Sequence, residues 1–114
     1  MSDCLFCKIA AGQIPSTKVY EDEQVLAFRD IAPQAPVHVL IVPKKHMANI
    51  LELAGDDTGI ANAVVNAVKI IAEQEGVAES GFRVVTNCGP DACQSVSHLH
   101  FHILGGRQMA DQMA

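Results

Sequence analysis

His98, His100 and His102 alternate with Leu99, Phe101 and Ile103 in a run that closes on Leu104. On a β-strand successive side chains point to opposite faces, so this spacing predicts three imidazoles side by side above an apolar underside. Burying a histidine costs free energy unless its ring nitrogens find partners, which makes such a row poor filler. Imidazole titrates near neutral pH and serves as nucleophile, general acid or base, or metal ligand. A second chemistry-bearing pattern opens the chain. Cys4-Leu5-Phe6-Cys7 has the spacing of a zinc knuckle or a redox pair. The redox reading needs a thioredoxin-like βαβ context, which the pattern of elements below does not supply. Cys88 and Cys93, the other two cysteines, read as ordinary thiols.

These groups have to be positioned by a small scaffold. A length of 114 residues, 49% hydrophobic and 18% charged, predicts one globular domain over 1–114 without a disordered tract. The net charge of −5 excludes a long nucleic-acid partner, which would require a basic stripe, and leaves open a small anion held by local donors. No apolar run is long enough to span a bilayer and no signal peptide is evident, so no membrane partner and a cytoplasmic address are expected.

Residues 4–12 read as a short helix ended by Gly12, and Lys18 to Glu21 with Val25 to Asp30 as a hairpin. Val37 to Val42 is β-branched and apolar, a central strand that Pro43 should end. Between Asp57 and Glu75, Ile60, Ala63, Val64, Ala67, Val68 and Ile71 form one helical stripe, with Asp56 or Asp57 as its cap and Gly76 beyond its end. Phe82 to Asn87 and Ser97 to Leu104 complete five strands, joined by the loop from Cys88 to Val96. The predicted class is α+β: a five-stranded antiparallel sheet, mostly in sequential hairpin order, with one long helix and a short N-terminal helix.

His98 to Leu104 matches, at every position, the defining pattern of the histidine triad (HIT) superfamily: histidine, apolar, histidine, apolar, histidine, apolar, apolar. Ala27-Phe28-Arg29-Asp30-Ile31, Pro33-Gln34-Ala35-Pro36-Val37-His38, Pro43-Lys44-Lys45-His46, Gln94-Ser95-Val96 and Leu104-Gly105-Gly106-Arg107 resemble its nucleotide-binding, phosphoramidase-type branch. The resemblance runs from about Cys4 to Met109. It implies a HIT-like fold and cleavage of purine nucleoside phosphoramidates through a covalent nucleotidyl-histidine, with a purine nucleotide as the binding partner.

By the same resemblance His100 attacks phosphorus while its other nitrogen donates to the carbonyl of His98. His38 and His102 contact phosphate oxygens, Ser95 lies near the leaving group, and the loop bearing Asn87, Cys93 and Gln94 supplies further donors. Asp30 would hold the ribose hydroxyls, and Phe6, Ile9, Phe28, Ile31 and Leu40 would surround the base. Cys93 stands where the branch usually carries a glycine, and the branch's tryptophan-containing tail is absent. Some bacterial members with CxxC hold a structural zinc; the matching set here is Cys4, Cys7, His46 and His98. Two sulfurs and two nitrogens would close a tetrahedron with no open position. The resemblance also implies a homodimer. The alternatives are a dinucleoside polyphosphate hydrolase of the same superfamily, a zinc-dependent hydrolase using the strand histidines, and a nucleotide-binding module without turnover.

Overall fold

The computed structural model describes residues 4–114. They fold as α1 (Leu5–Ala10), β1 (Lys18–Glu21), β2 (Val25–Arg29), β3 (Val37–Pro43), α2 (Ile60–Gln74), β4 (Phe82–Val85) and β5 (Phe101–Gly105). Two 3-10 turns, Ile50–Leu53 and Pro90–Ala92, had no signal in the sequence reading. The strands form one antiparallel sheet, so the α+β class holds. Their order, β1-β2-β3-β5-β4, departs from a simple meander because β5 enters between β3 and β4.

The alternation along β2 and β3 builds two cores on the two sheet faces. Val25, Ala27, Val39 and Ile41, with Phe101 and Ile103 of β5, pack against Ile60, Ala63, Val64, Ala67 and Ile71 of α2. The intervening Leu26, Phe28, Leu40 and Val42 face the other way and are covered by Phe6 of α1. Burial on both faces explains why these strands read as continuous apolar runs. Each fully buried aliphatic side chain stabilises by about 1.5–3 kcal/mol, and Ile41, Ile71 and Ile103 have no exposure at all. Among the described residues no helix is long and apolar enough to cross a membrane.

Several boundaries differ from expectation. Helix α2 starts at Ile60 behind Gly59, whose left-handed φ of +85° no aspartate cap would favour. Asp56 instead accepts from the Thr58 hydroxyl and N–H, closing the turn before it. At the other end, Gly76 (φ +74°) follows the cap as expected. Its N–H reaches Glu73 O, and the Val77 N–H reaches Ala72 O, the paired bonds of a Schellman stop. Strand β2 ends at Arg29 and β4 at Val85, short of Asp30 and Asn87, and β5 begins at Phe101 rather than Ser97. His98 and His100 therefore lie ahead of the strand, and of the three alternating histidines only His102 is on it.

Candidate active site and metal centre

The five histidines of the chain divide between two clusters, and strand register explains one of them. Leu40 of β3 lies opposite His102 of β5, and Phe28 of β2 lies opposite Leu40. Directly opposed residues share a face, so Phe28, Leu40 and His102 stand in a row on the α1 side. His38, two residues before Leu40, is the diagonal neighbour of His102, and its Nε2 comes 2.9 Å from His102 Nδ1. Asp30, just past β2, places Oδ2 3.4 Å from the same His38 nitrogen.

His100 reaches this face without belonging to the strand. Its Nδ1 donates to the carbonyl of His98, two residues back, at 2.7 Å, which leaves Nε2 as the unprotonated nitrogen. No protein group bonds that Nε2 among the described residues. Thr86 donates to His100 O at 2.7 Å and pins the backbone from β4's side. The ring stands edge-on to Phe6, 5.0 Å between centroids, and 5.3 Å from His102.

Hydrogen-bond direction fixes the remaining protons. The Gln34 N–H donates to His38 Nδ1 at 2.9 Å, so that nitrogen is an acceptor and neutral His38 carries its proton on Nε2. His38 Nε2–H then donates to His102 Nδ1, and His102 holds its own proton on Nε2. Burial first, then the neighbouring His100 and His38, push the His102 pKa down to about 4, with Asp30 opposing. Burial likewise lowers His38. Asp30, His38 and His102 lie close enough to hold a cation. A metal on His38 Nε2 would, however, drive its proton to Nδ1 against the Gln34 N–H, so this group is a hydrogen-bond chain.

The residues expected around a base assemble in part. Phe6, Phe28 and Leu40 are buried together, with Ile9 and Val96 packed at their edge. Ile31 is fully exposed at 101% and stands apart from them. Asp30 Oδ1 accepts the Ala32 N–H at 2.8 Å, and Arg29 is engaged elsewhere, paired through both nitrogens with Glu75.

In the loop, Ser95 and Cys93 are exposed and Asn87 is half-buried. Gln94 is occupied: its amide accepts from the Gly89 N–H and donates to Ala48 O and Val96 O, tying the loop down. Cys93 has φ 58° and ψ 45°, the one non-glycine residue at positive φ among those described. A glycine is what this position favours.

The second cluster brings together Cys4, Cys7, His46 and His98, whose donor atoms all lie within 4.8 Å of one another. Cys4 caps α1, its Sγ accepting the Cys7 N–H at 3.3 Å. His98 Nδ1 lies 3.3 Å from Cys4 Sγ and 3.5 Å from Cys7 Sγ, and His46 Nδ1 lies 3.2 Å from Cys7 Sγ. Zinc bonds of about 2.3 Å to sulfur and 2.05 Å to nitrogen, at tetrahedral angles, put sulfur and nitrogen about 3.6 Å apart. The observed edges are close to that. His98 is fully buried, and its Nε2 donates to Pro43 O at 2.8 Å, so Nδ1 offers a lone pair toward the sulfurs, with the outer hydrogen bond that orients metal-bound imidazoles. Burial and the adjacent Cys4 sulfur push the Cys7 thiol pKa up, a tension that a divalent cation between the sulfurs relieves. The donor set fits a closed zinc site.

A model of the HIT domain matches residues 11–109. The chain belongs to the HIT family. It is 51% identical to a 14 kDa zinc-binding protein of Zea mays, over 95% of this chain and 85% of that one. It is 48% identical to adenylylsulfatase HINT1 of Arabidopsis thaliana (95% and 74%) and 39% identical to purine nucleoside phosphoramidase of Escherichia coli K12 (98% and 94%). Among solved structures, a HIT family hydrolase from Clostridium thermocellum superposes with a TM-score of 0.96 at 47% identity, covering 100% of this chain and 99% of that one.

Gln34 and Thr86 escaped the sequence reading as site residues. Gln34 acts through its main chain, which no side-chain pattern reveals, and Thr86 looks like any strand-end threonine.

Proposed function

We propose that the chain is a nucleoside phosphoramidase that cleaves purine nucleoside phosphoramidates through a nucleotidyl group carried on His100. One observation carries this reading: an imidazole with Nδ1 committed to a carbonyl and Nε2 unprotonated stands beside a neutral imidazole whose Nε2–H is free to donate. The His100 Nε2 lone pair forms a bond to phosphorus as the P–N bond of the substrate breaks, and the departing nitrogen takes a proton from solvent by way of Ser95. Water then attacks phosphorus and gives up a proton to solvent, the P–N bond to His100 breaks with its electron pair returning to Nε2, and AMP or GMP leaves with His100 again protonated on Nδ1 alone. Such transfers depend chiefly on positioning and charge stabilisation, which the His102 donor and the loop amides provide. Phe6, Phe28 and Leu40 suit a purine face and Asp30 suits the ribose diol.

Zinc at Cys4, Cys7, His46 and His98 would staple α1 to the segment before β5, and with no open position it would take no part in the chemistry. A homodimer is the assembly we favour, since Phe82 and Val84 on edge strand β4 and Val65 on α2 expose apolar surface. The address we favour is cytoplasmic, in keeping with four cysteines that are all free. A sulfate leaving group is the second reading, supported by the identity to the Arabidopsis adenylylsulfatase.

The test is AMP release from adenosine 5′-phosphoramidate and from adenosine 5′-phosphosulfate by wild type and His100→Ala, with acid-quenched wild type weighed for a nucleotidyl adduct. Release and adduct in wild type alone establish the histidine mechanism, and the ratio of the two rates chooses the leaving group. Full activity in His100→Ala refutes it.

A further inference from the structure

We propose that Arg107 and the main chain of Gln34 are positioning residues for His102: they fix which of its nitrogens carries the proton that faces the substrate phosphate. The inference rests on the reaction proposed above and deepens it. Arg107 follows β5 by two residues and is exposed. One of its guanidinium nitrogens donates to Gln34 O at 3.0 Å. Gly106, between strand and arginine, lies directly on the same loop. At φ +93°, a Cβ there would come 2.9 Å from Pro36 Cβ, so the chain end and the 30–36 loop meet at a spacing only glycine allows.

From Gln34 the order of donors is determined. Its N–H enters His38 Nδ1 at 2.9 Å, and His38 Nε2 meets His102 Nδ1 at 2.9 Å. Asp30 Oδ2, 3.4 Å from His38 Nε2, is a second acceptor for the same proton and favours the same arrangement. The Gln34 N–H, the His38 Nε2–H and the His102 Nε2–H therefore all point the same way along the row, and Arg107 holds the residue at its head in place through the Gln34 carbonyl. Without a donor on His38 Nδ1, the two tautomers of His38 would compete. In the second, His38 Nε2 becomes an acceptor, His102 turns its proton inward to Nδ1, and its Nε2 lone pair then faces the phosphate oxygens. The donor becomes a repulsive group with no change in charge.

The loop needs an outside clamp because little else holds it. Residues 31–34 are exposed, and Pro33 and Pro36 have no N–H to give. The Asp30 N–H to His38 O bond and the Asp30 Oδ1 contact with the Ala32 N–H secure only its first turn. Arg107 reaches the residue that matters, and a guanidinium never exchanges its donor role for an acceptor one.

The experiment uses the full chain labelled with ¹⁵N-histidine, with tautomers read from two-bond ¹H–¹⁵N correlations of the rings at pH 7.5. Wild type should show His102 and His38 each protonated on Nε2 alone. Arg107→Ala and Gly106→Ala should each add the Nδ1–H form at both rings. The kcat for adenosine 5′-phosphoramidate should fall by roughly three- to tenfold, the scale of one hydrogen bond, with KM changed less than twofold. Arg107→Lys, which keeps a donor, should recover part of both. Unchanged ring signals in both variants would overturn the proposal, whatever happens to the rate. So would shifted tautomers with an unchanged kcat. A wild type that releases no AMP while its variants still shift tautomer would refute the reaction and uphold the positioning chain.

Discussion

Replacing His102 by glutamine should remove a large part of the acid sensitivity of this fold. His102 faces His100 and His38, which disfavour its charge, and Asp30, which favours it, while burial is the largest influence and holds the pKa near 4 against an ordinary 6.5. As pH falls, the unfolded chain binds this proton first. Stability due to the neutral ring is therefore complete above about pH 6.5 and is lost as pH drops toward 4. With those two pKa values, wild type loses about 2 kcal/mol on this account between pH 7.5 and 5, and about 3 kcal/mol by pH 4. Glutamine does not titrate, and its Oε1 can still accept from His38 Nε2. Urea unfolding of both proteins, followed by far-UV circular dichroism because the chain has no tryptophan and one tyrosine, gives stability at each pH. The gap between the two should narrow or reverse by about 2 kcal/mol from pH 7.5 to 5. Acid loss of the cysteine and histidine cluster is common to both and cancels. Parallel curves would show that the His102 ring takes up its proton as easily folded as unfolded, and the account of this site would fail.

The sulfur and nitrogen cluster predicts one zinc per chain by metal analysis. Its removal by a chelator, or substitution by Cys7→Ser, should lower the melting temperature by at least 10 °C, since losing a closed site costs several kcal/mol and each is worth about 4 °C in a chain of this size. A full complement of metal in Cys7→Ser would contradict the ligand set. Cys93→Gly should be neutral to stabilising by about 0.5 kcal/mol in urea, because relief of roughly 1 kcal/mol at a left-handed residue is partly offset by the freer unfolded glycine. A loss of 1 kcal/mol or more would show that the Cys93 side chain makes a contact worth more than the strain.

Much of the scaffold is legible because its signals are local. The β-branched run from Val37 to Val42 is buried on both faces, and the stripe from Ile60 to Ile71 meets the sheet as its period requires. The helix start departs from expectation because Asp56 and Asp57 are good caps by type, yet a left-handed glycine turns the chain one residue before the helix and leaves Asp56 to its own turn. The clusters were legible from side-chain types and the family pattern. Of the main-chain groups that set their protons, the family pattern pointed only to His98 O; Gln34 N–H and Pro43 O left no trace, because every such group belongs to the backbone and no side-chain type marks it.

The early departure from strand pairing is what lets two sites share one short segment. Pairing of β5 with β3 stops at Phe101 opposite Ile41, although β3 runs on to Pro43. Pro43 has no N–H to offer a partner strand, and its carbonyl is taken by the His98 ring. The Leu99 N–H goes to Met47 O at 2.6 Å, and His100 O goes to Thr86, so the ladder is replaced bond by bond. Freed from the pleat, His98 turns Nδ1 to the sulfurs of α1 while its carbonyl fixes the proton of His100. On an unbroken strand the three rings would share one face and one environment. Under the proposed function one residue serves both sites: the His98 ring would join the zinc ligands, while its carbonyl holds the Nδ1 proton of His100 two positions on and so keeps Nε2 free for phosphorus.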